Sequence, residues 1–297
     1  MARTEVHEPP HAVSPPARLT ERLAALAMPC PVHPSAHLVE AATSDWARAA
    51  GLPPDPVASR LAGRAFARCE TGSVTSLARW LTWMSHLRRA PEALTPVLAV
   101  ATGGEPGPAP LERAFSGLWT ACAPGMSGAW RERFTAGLAA QREAVLGRGA
   151  PPADDRAKPA GGAFGRYLLD LVEPCLGVEV PERVWRSPPW RALVEASGDV
   201  AARCEEACEE TVAGHGQADT IFLERSKWEA EEWTIDRVAT RMEELWTAAR
   251  AVPALTERHD LGLTPSREVT RVTCAFLTIP RAYLEWLLET PRYRHLR

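Results

Sequence analysis

Two arginines and a run of glutamates are the groups in this chain whose types and spacing suggest chemistry. Arg88 and Arg89 close the segment 76–92, SLARWLTWMSHLRRAPE, which ends on Glu92. The run EEACEE fills 205–210, and Glu205 and Glu209 stand one helical turn apart, on one face of a helix. On pattern alone each group has a plain reading. Cations suit the C-terminal end of a helix dipole. A cluster of carboxylates is ordinarily a solvated face. Cys204, Cys208 and His215 carry zinc-ligating atoms, but their spacing is no known zinc pattern and buried thiols are common. His86 beside Ser85 makes no triad, because adjacent side chains on a helix diverge and no third group is in view. The chain has no GxSxG, HExxH, P-loop or dinucleotide fingerprint. TGGEPG, from Thr102, is a loop with no strand before it.

The elements that must position these groups are helices. Leu77, Trp80, Leu81, Met84 and Leu87 recur at helical spacing behind a cap at Ser73 or Thr75, and Pro91 ends or bends that helix. Further helices are expected over 36–50, stopped by Gly51, and over 56–68, 111–122, 130–145, 164–176, 189–211, 228–251 and 266–288. Pro280 should kink the last of them. Residues 1–17 read as a disordered tail and 18–297 as one domain, with an irregular Pro-rich segment at 147–162. Hairpin signals and alternating β-branched runs are absent. The fold class is therefore all-α, with about ten helices around a central apolar cavity.

Composition narrows the function. The chain has 297 residues, 45% apolar and 24% charged, with a net charge of −3, so neither nucleic acid nor an anionic membrane is a favoured partner. Lys158 and Lys227 are its only lysines, a bias that a GC-rich genome explains without any arginine-based function. Seven scattered cysteines with no CxxC pair, and no secretory signal, point to reduced thiols in a cytoplasm. No 18-residue apolar stretch is present to span a membrane.

Four pieces, in order, resemble bacterial class I terpene synthases over roughly residues 29–295. PVHPSAH at 31–37 with DWARAAGL at 45–52 looks like that family's entry segment. FSGLWTACAPGMSGAWRERF at 115–134 is similar to the segment after its first metal helix, and DLVEPCLGVEVPERVW at 170–185 to another. WLLETPRY, from Trp286, looks like the terminal Arg-Tyr pair, here Arg292 and Tyr293, which binds diphosphate in the family. The resemblance implies a helical fold with an apolar, aromatic pocket that shelters a carbocation. It also implies Mg²⁺ ions bridging a prenyl diphosphate, held by an acidic DDxxD-type motif and by an Asn, Ser/Thr, Glu set on a facing helix.

This chain departs from that pattern. Counted from Trp83, the first two acidic positions fall on Arg88 and Arg89 and the last on Glu92. A guanidinium stays protonated and cannot ligate a metal. On the facing helix, counted from Asp199 and Val200, the Asn position falls on Glu205, the Ser position on Glu209 and the Glu position on Ala213. The diphosphate-sensing arginine falls on Pro159 or Ala160, with Arg156 and Lys158 displaced nearby. One wall has exchanged acids for arginines while the other has gained carboxylates. Arg88 or Arg89 is thus expected to pair with Glu205 or Glu209 across the cavity mouth, with a solvated helix end or direct anion binding as the other readings.

The expected function is a non-canonical terpene-synthase-like protein of specialised metabolism, a metal-independent cyclase acting on an apolar substrate. A non-catalytic ligand-binding or partner protein is the first alternative. A divergent Mg²⁺-dependent cyclase using Glu205, Glu209 and Glu92 is the second, the one reading with a metal cofactor. The catalytic candidates are Arg88, Arg89, Glu92, Glu205 and Glu209. Leu77, Trp80, Leu81, Met84, Gly198, Ala201, Arg292 and Tyr293 are the substrate-binding candidates; the small residues on the facing helix predict a roomy pocket. A homodimer is left open.

Overall fold

A computed structural model describes residues 30–146, 165–213 and 222–289, with side chains placed for 30–146, 168–205 and 235–289. The tail at 1–17, residues 18–29, the whole Pro-rich segment with Arg156 and Lys158, and Arg292, Tyr293 and the Glu209 side chain lie outside the described residues.

Thirteen α-helices and no strand occur among the described residues. The first three are α1 (Ala36–Ala50), α2 (Pro56–Ala65) and α3 (Thr71–Arg89). Then come α4 (Leu94–Ala101), α5 (Pro110–Cys122) and α6 (Gly128–Leu146). Three short helices follow, α7 (Gly165–Asp170), α8 (Val172–Leu176) and α9 (Glu182–Trp185). The chain closes with α10 (Pro188–Ala213), α11 (Phe222–Arg250), α12 (Val252–Arg258) and α13 (Leu263–Glu289). Local chemistry sets the ends. Gly51 takes the left-handed conformation at φ 80° and terminates α1, as a C-terminal glycine can at no steric cost. Asp55 caps α2, its Oδ1 accepting from the N–H groups of Val57 and Ala58 at 2.9 and 3.1 Å.

α3 is the axis of the fold. It packs against α1, α2, α5 and α8, and nine of its side chains on every face are buried, from Val74 to Leu87. It begins at Thr71, earlier than a cap at Ser73 or Thr75 would allow. Its N-cap is Glu70, whose side chain makes no capping bond, so packing rather than a cap fixes this start. On the other side of the molecule α10 packs against α11 and α13, and α13 returns to α2. Trp80, Trp83, Phe115, Trp119, Trp130 and Phe134 form a continuous aromatic cluster joining α3, α5 and α6, with ring centroids 5.1–6.1 Å apart.

Two prolines shape the second half in the same way. The helix expected over 164–176 is broken into α7 and α8. Pro174 has no N–H to give the Asp170 carbonyl four residues back, and its ring crowds that oxygen. The indole N–H of Trp130 donates to the Asp170 carbonyl instead, at 3.0 Å. In α13, Pro280 lies inside a helix that continues to Glu289. The carbonyl it leaves without a helical donor is that of Phe276, and the Ser197 hydroxyl on α10 donates to it at 2.7 Å. Each proline therefore turns a helical carbonyl into an attachment point for a neighbouring helix.

Candidate functional site

Arg88, in the last turn of α3, forms an ion pair with Glu205 on α10. Both side chains are about one-sixth exposed, at 17% and 16%. Tyr283, on α13 and 2% exposed, shares a hydrogen bond with the Arg88 guanidinium. Burial pushes its phenol up from the ordinary tyrosine range, against a lowering by Arg88. Cys204, fully buried, and the capping Asp55 lie near enough to act on the same phenol. Three helices thus meet through one guanidinium.

The sequence-derived candidates separate at this point. Arg88 and Glu205 come together. Arg89 is exposed at the end of α3, which is the solvated reading for that residue. Glu92 is exposed on a 3-10 turn over Pro91–Ala93 that follows α3, away from the pair. Leu77, Leu81 and Met84 are buried on α3, and Gly198 and Ala201 on α10. Trp80 is buried with its ring edge-on to Trp83, Phe115 and Phe134, in the aromatic wall shared with α5 and α6. His86 meets the Pro53 carbonyl at 2.8 Å and Ser85 donates to the Thr82 carbonyl at 2.9 Å, so the two take no part in a shared site.

Sequence reasoning missed Tyr283 and a second ion pair. Tyr283 is one of three tyrosines in the chain and lies on the apolar face of α13, with Ile279, Leu284 and Leu287. A phenol on such a face needs a polar partner, and that was the available signal. Asp199, six residues before Glu205 on α10, pairs with Arg241 of α11 at 2.8 Å. Burial raises the Asp199 carboxyl, and Arg241 and Arg203 pull it back down. The pair joins α10 to the helix beyond residues 214–221.

The family resemblance implies a magnesium cluster at this place. Mg²⁺ takes oxygen ligands, yet two of the expected ligand positions carry guanidinium groups. One of these holds Glu205, the carboxylate that would otherwise be offered to a metal. Among the described residues, no group of three or more His, Cys, Asp or Glu side chains is gathered to hold a metal ion. Glu205 is thus already engaged by a cation, and the Glu209 side chain of the implied ligand set lies outside the described residues.

The fold is the all-α fold of bacterial class I terpene synthases. Solved structures of that fold cover most of this chain. Wild-type cucumene synthase aligns with TM-score 0.72 and 23% identity, covering 89% of this chain and 98% of its own. Linalool/nerolidol synthase from Streptomyces clavuligerus, solved with 2-fluorogeranyl diphosphate, aligns with TM-score 0.70 and 20% identity over 89% and 98%. By sequence the chain is 26% identical to (−)-δ-cadinene synthase of Streptomyces clavuligerus, covering 74% of this chain and 76% of the relative. It is also 26% identical to pristinol synthase of Streptomyces pristinaespiralis, over 94% and 87%. No protein-family model matches the chain. The protein is terpene-synthase-like in sequence and fold, and no helix among the described residues is long and apolar enough to cross a membrane.

Proposed function

We propose that this protein is a repurposed cyclase of specialised metabolism that works without metal on an apolar substrate. The observation that carries the reading is the Arg88–Glu205 ion pair, which occupies the register where relatives of this fold are expected to hold metal with acids. In this reading the pair does the joining that metal and diphosphate do elsewhere. Glu205 is the base at the mouth, and Tyr283, kept neutral by burial, is a hydrogen-bond donor beside it. Leu77, Leu81, Met84 and Ala201 hold the substrate by shape, with Arg88 fixing the carboxylate in place. Moving a proton within an unsaturated hydrocarbon leaves its composition unchanged, so the chemistry needs no co-reactant.

Incubation with geranyl, farnesyl and geranylgeranyl diphosphate, and with the matching alcohols and hydrocarbons, tests this, each with Mg²⁺ and with EDTA. Rearranged product from an uncharged substrate, formed equally with EDTA and lost in Glu205→Gln, is the expected result. EDTA-sensitive product from a diphosphate overturns it in favour of a divergent Mg²⁺-dependent cyclase. Tight binding of an uncharged substrate without turnover overturns it in favour of a ligand carrier or partner protein.

A further inference from the structure

A second cleft lies at the other end of α3, away from Arg88. It encloses about 770 Å³, within the range of small-molecule sites. The first turns of α3 supply Thr71, Thr75, Ser76 and Arg79, and Trp80, Leu118, Met126 and Val178 supply apolar wall. The cleft differs from the mouth in its charge. Among the described residues the Arg79 guanidinium has no carboxylate partner. It lies over the Trp46 ring, 6.0 Å from the centroid, and its Nε is buried with no hydrogen-bond partner. Burial alone pulls this guanidinium down from its ordinary value, with no charged neighbour acting on it. A partly desolvated cation with no carboxylate partner favours an anion supplied from outside. The start of α3 opens on the same cleft at Thr71 and Gly72, with no side-chain cap and no acid in its first turn.

Two carboxylates also border the cleft and limit the charge it accepts. Glu179 is occupied, receiving the Ser127 N–H at 2.8 Å and the Ser127 hydroxyl. Glu268, on α13, is half-buried on the same wall. A multiply charged phosphate would meet both, whereas a single carboxylate meets Arg79 with less opposition. We propose that this cleft is a binding site for a small apolar molecule bearing one carboxylate, its charge on Arg79 and its body against Trp80, Leu118 and Met126. The site is separate from the mouth and does not depend on the reaction proposed there.

Titration calorimetry with 4-phenylbutyrate, 4-phenylbutanol and phenethyl phosphate tests the assignment on the full chain. The carboxylate should bind best, and Arg79→Gln should weaken it roughly tenfold or more, the scale of a lost charged hydrogen bond. Arg79→Lys should retain part of the affinity. Ala121→Trp, at an exposed position on the cleft wall, should block binding while leaving Arg79 in place. If Arg79→Gln does not fold, the Ala121→Trp result decides. Equal binding of alcohol and carboxylate, tighter binding of the phosphate, no measurable carboxylate binding, or undiminished binding in Ala121→Trp would each overturn the proposal.

Discussion

Arg88 holds two acceptors from two other helices, so its removal costs more than one contact. Arg88→Ala leaves Glu205 largely buried without a cation and Tyr283 without its partner. Breaking one side of a buried pair costs about 3–5 kcal/mol, and partial exposure places this case near the lower figure. Urea unfolding of Arg88→Ala, Glu205→Ala and the double variant measures the coupling. The double variant should be more stable than the sum of the singles requires; simple additivity would mean that the pair contributes nothing to joining α3 and α10. Glu173 belongs to a different buried network. Its carboxylate accepts from the Val180 N–H at 2.6 Å and from Arg133, which also meets Asp170 at 3.1 Å and lies 4.5 Å from the Trp185 ring. Burial pushes the Glu173 carboxyl up to about 8 from 4.5, against the lowering by Arg133 and the Val180 N–H. A folded-state value above the unfolded one gives stability that is whole below pH 4.5 and falls as pH rises towards 8. Thermal unfolding across that window should show this decline in the parent chain and a flatter profile in Glu173→Gln. A parallel decline in both would remove Glu173 as its cause.

At the scale of elements, the two proline-freed carbonyls make a specific prediction. Ser197→Ala deprives the Phe276 carbonyl of its donor and should cost about 1–3 kcal/mol, the penalty of an unsatisfied buried acceptor. Pro280→Ala restores a backbone N–H in register with that carbonyl. In the Ser197→Ala background it should recover part of the loss, and chemical denaturation of the two variants checks this. Failure to recover would show that Ser197 acts through packing rather than through the freed carbonyl. The same logic explains why one helix was expected over 164–176 and two are found. Pro174 was visible in the sequence, but in the expected helix it stands in the last turn, where it removes only the bond to the Asp170 carbonyl. The Trp130 indole, forty residues earlier in the chain, stabilises the break at Asp170.

For the whole molecule, the proposed function makes the Arg88–Glu205 pair the contact that closes the mouth. Relatives whose two walls meet through metal and diphosphate gain stability from both, in proportion to the logarithm of their concentrations. In the proposed function this chain needs neither, because Arg88 and Glu205 already join the two walls. Millimolar Mg²⁺ with inorganic diphosphate should therefore leave its melting temperature unchanged. A rise of several degrees, abolished by EDTA, would show that the mouth still gathers metal. One continuous core runs from Val39 on α1 to Leu288 on α13, so thermal melting of the described helices should follow one transition.

Helix periodicity is local, and the sequence by itself determined what local rules govern. These include the all-α class, the stop at Gly51, the apolar faces of α3 and α13, and two adjacent arginines at the end of α3. It left open which arginine turns inward. Successive residues on a helix point about 100° apart, so two adjacent arginines cannot share one partner face. Packing of α3 among α1, α2, α5 and α8 set the rotation that gives Arg88 to Glu205 and leaves Arg89 to solvent. Only the tertiary structure could bring Tyr283 to the same guanidinium, or Ser197 and Trp130 to carbonyls that distant prolines had freed. Those contacts join residues tens to nearly two hundred positions apart, and no spacing rule along one helix reaches that far.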